Sequence, residues 1–247
     1  MRRILMIFAL VLLTGNVFSE TDLIKMFLEN KLTEVTNISE GDVLALVPES
    51  VVVSRDGKNA AFIVNRVGKM FLTFNGKYQA EYDHIYTYSL VFSSDSRHFA
   101  YAARNVDNIT FIMLDRKIYR QESRDNTFMD DSLVFSPNGK RIAYVVKRYN
   151  GKYVVVLDKE EICELEEIDV GSIVFSPDSK HVIYIGKQWK EWVVFVNGKP
   201  GAENFDEILY IDRKNNKKIM FVSSNTLYYL AKRMGGHIDL MKIVLIR

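Results

Sequence analysis

The chain has 247 residues, of which 33 are Lys or Arg and 31 are Asp or Glu, for a formal net charge of +2. Such a balance excludes a global electrostatic pull toward nucleic acid or an anionic membrane. A hydrophobic share of 48%, with 12% aromatic residues, excludes a disordered chain and can fill a large core.

The N-terminus reads as a targeting segment. Arg2 and Arg3 form a basic start, Ile4 to Leu13 is an apolar run, and Val17 and Ser19 stand at the small-residue positions of a cleavage site before Glu20. An apolar run of about ten residues is too short to span a bilayer. We therefore expect a signal peptide over 1–19, an uncleaved anchor being the alternative, and an exported protein, periplasmic or extracellular. Residues 20–46 are expected to form a helix and linker, with Leu23, Phe27 and Leu28 on one helix face. No later segment is long and apolar enough to give a stable membrane span. Cys163 is the only cysteine, so an internal disulfide is excluded. Glu161 and Glu164 beside it work against a reactive thiolate.

A phrase then recurs: Val91-Phe92-Ser93-Ser94-Asp95-Ser96-Arg97, Val134-Phe135-Ser136-Pro137-Asn138-Gly139-Lys140 and Val174-Phe175-Ser176-Pro177-Asp178-Ser179-Lys180, with a weaker copy at Val53-Ser54-Arg55-Asp56-Gly57-Lys58. Its serines at 54, 93, 136 and 176 are 39, 43 and 40 residues apart. A second landmark, Asn75-Gly76, Asp115-Arg116, Asp158-Lys159 and Asn197-Gly198, follows each serine by 21 or 22 residues. Both are hairpin turns between short apolar runs. Each unit reads as strand a, turn, strand b, loop, strand c, turn, strand d, which is one four-stranded blade of a β-propeller. In two copies Ser96 and Ser179 replace the turn glycine, so those turns should be strained or of another type. A fifth, degraded copy places the a–b turn at Arg213 to Lys217, strand c at Leu227 to Ala231, a turn at Gly235-Gly236 and strand d at Ile238 to Ile246.

The expected fold is all-β: a β-propeller of about five four-stranded antiparallel blades, near 47–85, 86–128, 129–168, 169–208 and 209–247, preceded by a short helix and a signal peptide. Six blades is the alternative.

Phe175-Ser176-Pro177-Asp178-Ser179-Lys180-His181-Val182-Ile183-Tyr184, together with Val194-Phe195-Val196-Asn197-Gly198-Lys199 and Phe205-Asp206-Glu207-Ile208, resembles the WD-like propeller repeat of bacterial TolB-like proteins. The resemblance covers about four-fifths of the chain. It implies export, a propeller and a macromolecular partner, and it specifies fold better than function.

Three sets of residues are candidate sites. A basic residue recurs in the a–b turns (Lys58, Arg97, Lys140, Lys180, Lys217) and in the c–d turns (Lys77, Arg116, Lys159, Lys199), with neighbouring aspartates that cancel much of its field. On the opposite face Asp83, Glu166 and Asp206 recur in the d–a connections, where they could line a central opening or fix the connection by accepting backbone N–H bonds. The b–c loops vary most; Trp189 is their best single contact candidate, with Tyr149 beside it as a binding residue, although packing between blades is the use that the reading favours for Trp189.

No Gly-x-Ser-x-Gly elbow, metal-ligand spacing or phosphate-cradling loop is present. The reading is a non-enzymatic, exported, monomeric module that binds a protein or an envelope polymer without cofactor or metal. A lyase or glycan hydrolase using carboxylates at the central opening is the first alternative. A truncated propeller with a purely structural role, or one that completes itself by pairing with another chain, signalled by unpaired terminal edges, is the second.

Overall fold

The computed structural model of the chain describes residues 45–245. The expected signal peptide and the helix of residues 20–46 fall outside that range, apart from its last two residues. The regular elements described are all β-strands, apart from one 3-10 turn at Thr87–Ser89. Among the described residues no helix is long and apolar enough to cross a membrane.

Five antiparallel sheets follow one another along the chain. Sheet 1 is β1 (Leu46–Val53), β2 (Ala60–Arg66), β3 (Lys69–Phe74) and β4 (Lys77–Tyr82). Sheet 2 is β5 (His84–Ile85), β6 (Val91–Phe92), β7 (Phe99–Arg104), β8 (Thr110–Leu114) and β9 (Lys117–Gln121). Sheet 3 is β10 (Thr127–Phe128), β11 (Val134–Phe135), β12 (Ile142–Lys147), β13 (Tyr153–Leu157) and β14 (Glu160–Leu165). Sheet 4 is β15 (Glu167–Phe175), β16 (Val182–Gln188), β17 (Glu191–Val196) and β18 (Lys199–Pro200). Sheet 5 is β19 (Glu207–Leu209), β20 (Ile219–Phe221), β21 (Thr226–Lys232) and β22 (Ile238–Val244). Strands β5 and β6 pair with different parts of β7, as β10 and β11 do with β12, so each couple is one interrupted strand a.

Four buried apolar clusters join sheet 1 to 2, 2 to 3, 3 to 4 and 4 to 5. Alternation along strand b explains them. Ile142, Tyr144 and Val146 of β12 face sheet 2, whereas Ala143 and Val145 face sheet 4. A sheet packed on both faces needs apolar residues at both parities, hence the continuous runs Ile142 to Val146 and Val182 to Gly186. Five consecutive sheets, each packed on its sequence neighbours, are consistent with a propeller.

Two polar devices shape each of the first four units. In the a–b turn the landmark serine donates to the following Asx: Ser54 to Asp56 at 2.7 Å, Ser93 to Asp95 at 2.6 Å, Ser136 to Asn138 at 2.8 Å and Ser176 to Asp178 at 2.6 Å. Those serine bonds, with backbone N–H donors behind them, hold Asp56, Asp95 and Asp178 below the usual carboxylate range. In the c–d turn Asn75, Asp115, Asp158 and Asn197 take φ of 48°, 48°, 49° and 49°. Each accepts the N–H that opens strand b, from Ala60, Phe99, Ile142 and Val182 at 2.8 to 3.1 Å. Asn and Asp tolerate this left-handed backbone better than most residues.

A third device has no counterpart in the reading above. Ser50, Ser89, Ser132 and Ser172 stand four residues before the landmark serines and are buried. They donate to Val47, Tyr86, Met129 and Asp169 carbonyls at 2.5 to 2.6 Å. They accept the N–H groups of Ile63, Ala102, Val145 and Ile185 at 2.8 to 3.0 Å. Strand a loses register with strand b at these points, between Val47 and Val52 and between Asp169 and Val174. The hydroxyl therefore satisfies backbone groups that the ladder leaves open.

The turns at Ser96 and Ser179 are left-handed, at φ 63° and 65°. Their hydroxyls accept N–H bonds from the preceding sheet, Ser96 from Asp56 at 3.1 Å and Ser179 from Asn138 at 3.0 Å. The strain expected of these serines thus comes with a bond that laces adjacent sheets.

The fifth unit departs from the expected reading. Strand β21 pairs with β19 and β20 through the same residues that pair with β22, so β19 and β20 lie on one side and β22 on the other. Leu227 to Ala231 is therefore strand b, not strand c, and Ile238 onward is strand c, not strand d. Arg213 to Lys217 is a hairpin inserted in strand a, closed by the Asp212–Lys217 bridge, and Lys217 is not an a–b turn residue. The true a–b turn runs from Phe221 to Leu227, with Ser223 donating to Asn225 at 3.0 Å. The sheet has no fourth strand among the described residues. The fifth sheet is thus three strands wide among the described residues, where four were expected.

Candidate functional site

The b–c turns carry a feature common to all five sheets. Each places a large apolar residue at its first turn position, and these are the most exposed apolar side chains described: Val67 at 104%, Val106 at 79%, Tyr149 at 86%, Trp189 at 81% and Met234 at 87%. Strand b runs in the same sense in every sheet, so the five tips share one rim.

Two tips are held at a conformational cost. Arg66 pairs with Lys69 and Gln188 with Glu191, leaving two-residue turns. Val67 has φ 51°, and Trp189 and Lys190 have φ 55° and 70°. Such turns favour Asn-Gly, and a bulky residue there costs about 1–2 kcal/mol. The remaining tips sit in longer turns closed by Asn105 to Ile109, Arg148 to Lys152 and Arg233 to His237 backbone bonds.

A charge-balanced collar surrounds the tips. Lys69 binds Asp83 at 2.6 Å, Lys152 binds Glu164 at 3.2 Å, Lys187 binds Glu167 at 2.5 Å and Arg233 binds Asp239 at 2.7 Å. Arg148 bridges Glu161 and Glu164, and Arg233 also reaches Glu203. Lys187 also lies over the Trp192 ring, 4.7 Å from its centroid. The bases of this collar are thus paired within the protein, whereas the tips carry exposed Lys190 beside Trp189 and exposed Asp107 beside Val106 as well as their apolar residues.

Of the expected site residues, Trp189 and Tyr149 lie on this rim. Trp189 is solvent-exposed rather than packed between blades. The Asp83 carboxylate is engaged by Lys69, not by backbone N–H groups. Glu166 and Asp206 are exposed, just before strands β15 and β19. The carboxylates that make strand contacts are their successors: Glu167 opposite Lys187 and Glu207 opposite Lys232. Val67, Val106 and Met234 escape a sequence reading, because an apolar residue after a strand looks like more strand. Their shared position after the end of strand b was the available signal.

The opposite, a–b and c–d, face is crowded with internal pairs. His98 meets Asp115 at 2.7 Å and Arg141 meets Asp158 at 2.7 Å. Arg141 also donates to the Lys180 carbonyl at 2.9 Å. Cys163 is half-buried, and burial pushes its thiol up. Among the described residues no group of three or more His, Cys, Asp and Glu side chains could hold a metal.

No family model matches the sequence, and no curated protein matches it. Solved structures similar to it include a eukaryotic initiation factor, at 9% identity and TM-score 0.46, over 75% of this chain and 49% of that one. TolB from Acinetobacter baumannii matches at 16% identity and TM-score 0.39, over 63% of this chain and 43% of that one. The C-terminal WD40 domain of Sif2 matches at 12% identity and TM-score 0.35, over 78% and 57%. The chain spans about half the length of each. These likenesses concern the fold alone.

Proposed function

We propose that this chain is a β-propeller that acts as a non-enzymatic protein-binding module in the bacterial cell envelope, after export, through the b–c rim. One observation carries the reading: five successive turns each project a large apolar residue into solvent, two of them from strained backbone. Turn tips are ordinarily polar, and exposed Trp and Tyr are the side chains that dominate protein interfaces. The paired collar argues against a polyanionic envelope polymer, because bases already neutralised add little attraction. Export rests on the N-terminal pattern alone. The carboxylate enzyme alternative is weaker here, since Asp83 is occupied by Lys69.

The test is affinity capture from intact envelopes with the wild type and with a Tyr149→Ser/Trp189→Ser double variant. The reading requires a protein captured by the wild type and lost from the variant while its unfolding midpoint is unchanged. Equal capture by both would refute it.

A further inference from the structure

On the a–b and c–d face, the cleft between sheets 1 and 2 differs from the same cleft between sheets 3 and 4. In the latter Arg141, the residue before strand b, fills the space. Its guanidinium pairs with Asp158 at 2.7 Å, donates to the Lys180 carbonyl at 2.9 Å and lies 5.7 Å from the centre of the Phe175 ring. Sheet 1 has Asn59 where sheet 3 has Arg141, and Asn75 where sheet 3 has Asp158, and these two amides bond each other at 2.9 Å. Among the described residues the space beside Phe92, the counterpart of Phe175, is therefore a cavity of about 300 Å³. Phe74, Phe92 and Phe99 line it, with ring centres 4.8 to 5.9 Å apart. Phe74 and Phe92 are only half-buried, so part of this aromatic floor is accessible.

The charge of the cleft is inverted as well. Asn75 removes the carboxylate that serves Arg141, and a cation enters from the opposite wall, where sheet 2 has Arg116 and sheet 4 has Gly198. The Arg116 guanidinium lies 5.7 Å from the Phe74 ring centre and donates to Gln79 at 3.4 Å, and among the described residues it meets no carboxylate. Arg97 also lines the cavity; its side chain is 81% exposed, with Nε 4.0 Å from Asp95. The nearby carboxylates are already engaged, Asp95 by Ser93 and the Arg97 N–H, and Asp115 by His98 and the Phe99 N–H. Two guanidinium groups with donors to spare thus stand over an aromatic floor. We propose that this cleft binds a small aromatic anion, its ring on the phenylalanines and its charged group held by Arg97 and Arg116. The cleft lies on the face opposite the b–c rim, so either reading can fail without the other.

Saturation-transfer NMR at low salt tests it with three probes on the purified full chain: benzoate, benzyl alcohol, which lacks the charge, and acetate, which lacks the ring. Benzoate should saturate with a Kd on the order of 1–10 mM, as suits so small a ligand, and the other two should bind at least about tenfold more weakly. Arg116→Gln should weaken benzoate about tenfold by removing one charge-assisted contact. Asn59→Arg, which copies the side chain that fills the cleft between sheets 3 and 4, should abolish benzoate binding, and Trp189→Ser should leave it unchanged. No saturation by about 50 mM benzoate overturns the proposal. So does benzyl alcohol or acetate binding as tightly as benzoate, or a benzoate affinity unchanged in either cleft variant that folds. Arg116→Gln alters an exposed residue, and it decides alone if Asn59→Arg does not fold.

Discussion

The Tyr144 hydroxyl donates to the carboxylate of Glu122 at 2.5 Å, in the interior between sheets 2 and 3. Glu122 is 2% exposed and also receives Arg120 at 2.9 Å and Asn126 at 3.3 Å. Burial, with the Glu122 charge next, pushes the Tyr144 hydroxyl well above its ordinary value, so it remains a donor at every working pH. A charged group this deep is tolerated only because three donors satisfy it.

That geometry sets an order of costs. Tyr144→Phe removes one donor and leaves two, so it should cost about 1–2 kcal/mol. Glu122→Ala strands the Tyr144 hydroxyl in the interior and takes one partner from Arg120, which keeps Glu161 and the Lys159 carbonyl, and should cost more, about 2–3 kcal/mol. Urea unfolding of the two variants checks this, and a Tyr144→Phe loss larger than the Glu122→Ala loss would contradict it.

The buried serines make a second prediction. Ser172 both donates to the Asp169 carbonyl and accepts from Ile185 N–H, inside a break in the a–b ladder. Ser172→Ala leaves two buried backbone groups without partners, at about 1–3 kcal/mol. Ser223→Ala removes an exposed turn bond and should change stability by less than about 0.5 kcal/mol. Equal losses would mean that the ladder closes without the Ser172 hydroxyl.

How far this architecture can be read from sequence follows from which contacts need a particular residue type. The a–b and c–d turns are legible because left-handed backbone and Asx bonds admit few residues, as at Asp95 and Asn197. The fifth unit is not, because Val222 replaces the landmark serine. Its turn also spans the five residues between Phe221 and Leu227, instead of the six between Phe92 and Phe99. The rim was half legible. Tyr149 and Trp189 stand out as aromatic residues in loops, but Val67 and Met234 become a set with them only when the sheets are superposed.

His84 supplies a pH dependence. It is half-buried, stacks edge-on against Tyr86 at 4.8 Å, and pairs in register with Arg104. Burial, then the Arg104 charge, lowers its pKa, with Asp130 opposing. A histidine whose folded pKa is depressed favours folding in its neutral form. Its contribution is present above about pH 6.5 and is lost as pH falls through that value toward the lower folded one. The urea midpoint should therefore fall between about pH 7.5 and pH 5.5 by more in the wild type than in His84→Phe. Asp56, Asp95 and Asp178, depressed by serine bonds, act lower, and their contribution is lost as pH falls below the ordinary carboxylate range. Parallel pH curves for wild type and variant would remove His84 from this account.

The strained tips separate stability from binding. Trp189 at φ 55° occupies a turn position that glycine takes freely, and its side chain is almost wholly in solvent. Trp189→Gly should therefore raise stability by up to about 1 kcal/mol, because relief of the left-handed backbone outweighs the loss of so little packing. Val67→Asn should act in the same direction, since Asn-Gly suits the two-residue turn before Gly68. The proposed function requires that both variants bind a protein partner less well, the strain at these tips being the cost of keeping apolar side chains there. The check is to measure unfolding midpoint and partner capture on the same preparations. If Trp189→Gly is destabilising, the indole makes a contact that holds the blade together, and the rim loses its claim to be a surface kept for a partner.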